Sequence, residues 1–172
     1  MQWGTSGRLA VLAVLALAAA PSLAQSPTAP AAQEKAVQKD PKIAVVEQMI
    51  EAWNTRNWPL VAQLFAEDGV LHSMMIEPVV GRAAIDARIS AMGAGISEIT
   101  LNIRNIGRIG TAVFIERVDS FTYKGHKGEV PVVGVLEVED GKVKEWREYY
   151  DRAELVAAMG LSQDFHKPAA AE

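Results

Sequence analysis

The chain has 172 residues, enough for one domain with short extensions. With 49% hydrophobic and 22% charged residues it has the balance of an ordinary soluble globular protein. A net charge of -4 argues against a nucleic-acid surface, and the lack of cysteine excludes disulfides, thiolate catalysis and a lipoprotein anchor.

The first residues read as a leader. Arg8 gives a short basic start, Leu9 to Ala20 an apolar run, and Pro21 a break. Ser22-Leu23-Ala24 then supplies the small residues a signal peptidase recognises. Residues 1–24 are therefore expected to be a secretory signal peptide cleaved after Ala24, which places the mature protein in the periplasm or outside the cell. The alternative is a membrane anchor, but the apolar run falls short of the roughly 20 residues that span a bilayer. Residues 25–39 are rich in Pro, Ala, Gln and Lys without an apolar period, and read as a flexible linker. Residues 163–172 read as a disordered tail. The folded domain is expected over residues 40–162, with no internal repeat.

Asp40-Pro41 predicts a helix start, with an acid at the cap and proline at the first helical position. Ile43, Val46, Ile50 and Trp53 follow at helical spacing. Asn57-Trp58-Pro59 begins a second helix with Leu60, Leu64 and Phe65 on one face, ended by Glu67-Asp68-Gly69. Val70 to Ile76 reads as a strand and Pro78 to Gly81 as a turn. A third helix carries Ile85, Ile89 and Met92 and stops at Gly93.

From there the period changes to alternation. Strands are predicted over Ile99–Ile106, Thr111–Tyr123, Val130–Val138 and Lys142–Tyr150. Turns are predicted at Gly107–Gly110, Gly125–Gly128 and Glu139–Gly141. A short helix with Leu155 and Met159 closes at Gly160. Helices followed by a four-strand meander indicate an α+β fold. Its curved, mostly antiparallel sheet would be wrapped by the N-terminal helices into a cone with an internal pocket.

The strand from Thr111 to Tyr123 carries the chemistry. Val113, Ile115, Arg117, Asp119 and Phe121 share one face. A charged pair on an apolar face is either a buried site or an ion pair on the outer side of the sheet, and alternation leaves both open. The last strand puts Trp146, Glu148 and Tyr150 on one face, and Glu145, Arg147, Tyr149 and Asp151 on the other. Glu148 and Asp151 are both candidates for a second carboxylate.

Several segments resemble the limonene epoxide hydrolase family. They are Phe65-Ala66-Glu67-Asp68, Gly81-Arg82, Glu116-Arg117-Val118-Asp119, Gly134-Val135 and Trp146-Arg147-Glu148-Tyr149-Tyr150-Asp151. The resemblance runs from about Pro41 to Leu161. It implies that Arg117 and Asp119 are the catalytic arginine and acid, and that Glu148 stands where the family has its aspartate base. The family's water-positioning tyrosine and asparagine fall at Leu71 and Ser73, both departures. The resemblance further implies a one-step reaction without cofactor, and a homodimer.

Expected chemistry follows from those residues. Glu148 would activate a water while protonated Asp119 donates to an epoxide oxygen, with Arg117 joining the two. Met92, Leu101, Phe121, Val132, Trp146 and Tyr150 would line a pocket for a small hydrophobic substrate. His72 is expected at the surface, unless a local twist turns it inward. His126, in a turn, and His166, in the tail, complete a histidine set without metal-ligand spacing. A Gly-x-Ser-x-Gly elbow is absent, which argues against the covalent hydrolase route. The alternatives are a non-catalytic binder of small hydrophobic molecules, and an isomerase or dehydratase on the same fold.

Overall fold

The computed structural model describes residues 39–162. The leader at 1–24, the linker as far as residue 38 and the tail at 163–172 lie outside the described residues. Lys39, the last linker residue, pairs with Glu47.

Helix α1 (Pro41–Asn54) starts where the sequence places it, with the Asp40 side chain accepting from Lys42 N at 2.9 Å. Its inner face buries Val46, Met49, Ile50 and Trp53. Helix α2 (Trp58–Leu64) is capped by Asn57, which accepts from Leu60 N at 3.2 Å.

The first strand, β1 (Phe65–Ser73), begins earlier than expected. Phe65 is extended rather than helical, fully buried, and stacked on Trp146 with ring centroids 6.3 Å apart. Burying that ring against the sheet overrides its helical spacing with Leu60 and Leu64. Glu67-Asp68 then occupies a bulge between the pairs Phe65↔Val143 and Val70↔Glu145, instead of a helix end. At the far end Ile76 N donates to Ser73 O at 2.9 Å, so a turn replaces the expected continuation to Ile76. Strand β2 (Val79–Val80) pairs antiparallel with β1 inside what reads as a turn. Helix α3 (Arg82–Gly93) buries Ile85 and Ile89.

The meander follows as β3 (Ile96–Ile109), β4 (Ala112–Tyr123), β5 (His126–Glu139) and β6 (Lys142–Tyr149). The strands outrun the expected ends because Ile109↔Ala112, Tyr123↔His126 and Glu139↔Lys142 all pair, which leaves two-residue loops. Gly107 and Gly128 therefore lie in strands, and so does His126, which the sequence places in a turn. Left-handed backbone at Lys124 (φ 46°) with Gly125, and at Asp140 (φ 47°) with Gly141, gives two of these loops the twist that tight hairpins favour. Helix α4 (Arg152–Ala158) is the last element of the described residues.

The sheet order is β2-β1-β6-β5-β4-β3, with β1 parallel to β6 and every other pair antiparallel. Residues of α1, α2 and α3 share one apolar core with inward residues of the sheet, among them Val113, Ile115, Leu136 and Trp146. This α+β arrangement leaves a cavity between the helices and the inner sheet face.

Candidate active site

Strand alternation brings the charged residues inward. Along β4, Val113 and Ile115 are fully buried and Arg117 is 2% exposed. Arg117 is also the one buried charged residue among the described residues. Asp119 follows on the same face with 14% of its side chain exposed. On β6, Trp146 is 1% exposed and Glu148 comes next on its face, 18% exposed. Arg117 and Asp119 thus both line the cavity, and the outer-face ion pair is ruled out.

Glu148 is the second carboxylate. Asp151 serves the helix instead, because its side chain accepts from Glu154 N at 3.0 Å and caps α4. On the opposite face of β6, Arg147 pairs with Glu145 and, at 3.3 Å, with Glu137. The two faces of one short strand carry separate ion networks.

Arg117 joins the inward acids. Its Nε donates to Asp119 Oδ1 at 2.7 Å, and its Nη2 donates to Glu148 Oε1. Nε and Nη2 share one edge of the planar guanidinium, so the carboxylates stand side by side along it. The guanidinium carbon lies 5.4 Å from the Trp146 ring centroid.

Burial acts strongly on Asp119. It pushes the Asp119 carboxyl up to about 6, against the charge and hydrogen bond of Arg117, and the negative charge of Glu148 adds to the rise. For Arg117, burial acts to lower the pKa, but the charges of Glu148 and Asp119 outweigh it and hold the group protonated. A fixed cation therefore faces one carboxyl that titrates within reach of neutrality.

The surrounding cavity has a volume of about 140 Å³. Every residue the sequence puts in the site lines it: Arg117, Asp119, Glu148, Leu71, Ser73, Met92, Leu101, Phe121, Val132, Trp146 and Tyr150. Ser73 pairs with Glu148 across adjacent strands, so its hydroxyl is the polar group next to the second acid on that side. Leu71, one inward position earlier, brings no polar atom. His72 lies between them on the other face and is absent from the lining, so no twist turns it inward.

Sequence reasoning missed part of the wall. Trp53 of α1 and Tyr123 of β4 line the cavity, as do Glu77, Arg88 and Arg152. Leu155 of α4 and Met159 at its C-terminal cap close it, and their four-residue spacing with Arg152 one turn earlier was the available signal. For Glu77 and Arg88 no local pattern distinguishes a cavity edge from an ordinary surface.

Comparisons with known proteins agree with this fold. Residues 46–146 match the family model described as a SnoaL-like domain. Epoxide hydrolase EphG of Mycobacterium tuberculosis is 26% identical over 106 residues, covering 62% of this chain and 70% of its own. The structure of an M. tuberculosis LEH-like epoxide hydrolase superposes with a TM-score of 0.62 at 24% identity, over 69% of this chain and 89% of that one. A Catenulispora acidiphila protein with a ketosteroid isomerase-like fold, solved in complex with trimethylamine, superposes with a TM-score of 0.63 at 26% identity. That match covers 72% of this chain and 97% of the other. Likenesses of this degree carry the fold; the reaction has to be argued from the site itself.

Proposed function

This chain belongs to the SnoaL-like domain family, and on that premise we propose that it adds water to a small apolar epoxide to give a diol. The observation that carries the reading is the single guanidinium held between two half-buried carboxyls of which one, Asp119, has its pKa pushed up to about 6. Epoxide opening needs a base and an acid in one water-poor space. Glu148 takes a proton from water as the water oxygen bonds to a ring carbon. The carbon–oxygen bond of the ring breaks, and Asp119 gives its proton to that oxygen. A proton returning from Glu148 to Asp119 through solvent restores the starting state. Arg117 keeps both carboxyls in register throughout, and Ser73 is the side chain available to hold the water beside Glu148.

Size narrows the substrate. A cavity of roughly 150 Å³ accommodates benzene, so about 140 Å³ suits an epoxide on a single ring or a short chain. The same reading includes export, on the leader sequence alone, and pairing into a homodimer, on the family resemblance alone. The test is incubation with a panel of cyclic and aliphatic epoxides in oxygen-labelled water. The expected result is one labelled oxygen per diol, with turnover lost in Glu148→Gln. A folded protein that opens no member of the panel would overturn the reading.

Leu71 favours a second reading, because it cannot orient water. The site would then bind small apolar molecules without turning them over. Ligands would raise the Tm in proportion to their occupancy while every epoxide is recovered unchanged.

A further inference from the structure

Arg117 and Glu148 do not sit on neighbouring strands. β5 runs between them, paired with β4 on one side and β6 on the other. To reach the carboxylate, the guanidinium has to pass over the β5 backbone on the cavity side. Inward residues on this part of β5 are Val130, Val132, Gly134 and Leu136, and only Gly134 has no side chain. It pairs with Ile115 on β4 and with Glu148 itself on β6, so it lies directly beneath the crossing.

The space there is already filled. A Cβ on Gly134 would fall 2.9 Å from Arg117 Nη1, 2.9 Å from Ile115 Cγ2 and 3.0 Å from Trp146 Nε1. Optimal separations between non-bonded heavy atoms are about 3.5 Å or more. Glycine is not required by the backbone, since Gly134 is not among the positive-φ residues. It is required by what passes over it. On this side Arg117 Nη1 and Trp146 Nε1 are both buried without a hydrogen-bond partner among the described residues.

We propose that Gly134 is a positioning residue of the site: its missing side chain is the passage through which Arg117 crosses the central strand to hold Asp119 and Glu148 together. Asp119 shares a strand with Arg117 and keeps its contact in any case. Glu148 is the partner that depends on the crossing. A methyl at position 134 lifts the guanidinium off the strand and loosens the Arg117–Glu148 pair first. The kinetic consequence rests on the acid–base reading above, but the geometry does not.

A stability cycle reads the geometry with no substrate present, so its failure and the failure of the epoxide reading give different results. Glu148→Gln is made in the native protein and in Gly134→Ala, and the four melting temperatures are compared. The expected result is that the drop caused by Glu148→Gln shrinks to less than half in the Gly134→Ala background. Drops of equal size in the two backgrounds overturn the proposal. If Gly134→Ala alone does not fold, Gly134→Ala with Arg117→Met decides. A folded double variant supports the passage, and a double variant that fails although Arg117→Met alone folds shows that the glycine serves only packing against Ile115 and Trp146. With an epoxide that the native protein opens, Gly134→Ala lowers kcat by about tenfold or more and leaves KM within about twofold. A change confined to KM counts against the proposal.

Discussion

Asp119 and Glu148 are both carboxylic acids on one guanidinium, and the proposed reaction gives them different work. Asp119 is enclosed more tightly, and burial lifts it to about 6 although a cation touches it. Its proton is present below that pH and lost above it. In the proposed reaction the protonated form is the active one. The value of kcat/KM for epoxide opening should therefore fall by about tenfold per pH unit once the pH passes roughly 6. A pH–rate profile between 5 and 8, with protein shown to stay folded throughout, checks this. A rate that stays flat or rises across that range removes Asp119 from the role of acid. The replacement of Asp by Glu at 148 lengthens the other arm by one methylene, and the proposed water site beside Ser73 has to lie correspondingly further out.

Among the elements, β6 and the start of α4 separate two carboxylates three residues apart in sequence. Glu148 ends in the cavity, whereas Asp151 ends on a backbone N–H. Asp151→Ala should cost about 1 kcal/mol through the lost cap and lower the Tm by a few degrees. Turnover should stay within about threefold, since α4 contributes wall residues but no reacting group. Thermal melts alongside diol assays test the contrast with Glu148→Gln, which should abolish turnover. If Asp151→Ala removes turnover from folded protein, the assignment of the two acids is reversed. The helices were legible because Asp40-Pro41 and Asn57-Trp58-Pro59 carry local capping signals. The inward face of β4 was legible because alternation is also local. Phe65 was not, because its conformation is decided by Trp146, 81 residues later. Nor was the choice between Glu148 and Asp151, which needs the sheet in place before the helix cap becomes visible. Gly134 stood among the residues of the family resemblance, but its reason appears only once Arg117 is seen to cross β5.

For the molecule as a whole, the site works against stability over part of the pH range. Below pH 3.8 Asp119 is protonated whether the chain is folded or not. Between 3.8 and about 6 the folded state keeps the proton that the unfolded chain releases. The folded state then binds more protons, so stability falls as pH rises through this window and levels off above it. Two pKa units correspond to about 3 kcal/mol. Asp40 and Asp68 act in the opposite sense at lower pH. Hydrogen bonds from Arg108 and Lys144 respectively hold their carboxyls below the ordinary value, and the stability they contribute is lost as pH falls through those lowered values. Comparing native protein with Asp119→Asn isolates the buried group, because the exposed acids are common to both. The stability of the variant relative to native should rise by about 3 kcal/mol between pH 4 and 7 and stay constant beyond, as measured by urea unfolding at each pH. A difference that does not change with pH would mean that Asp119 ionises as an ordinary carboxyl. The division of labour with Glu148 would then lose its physical basis.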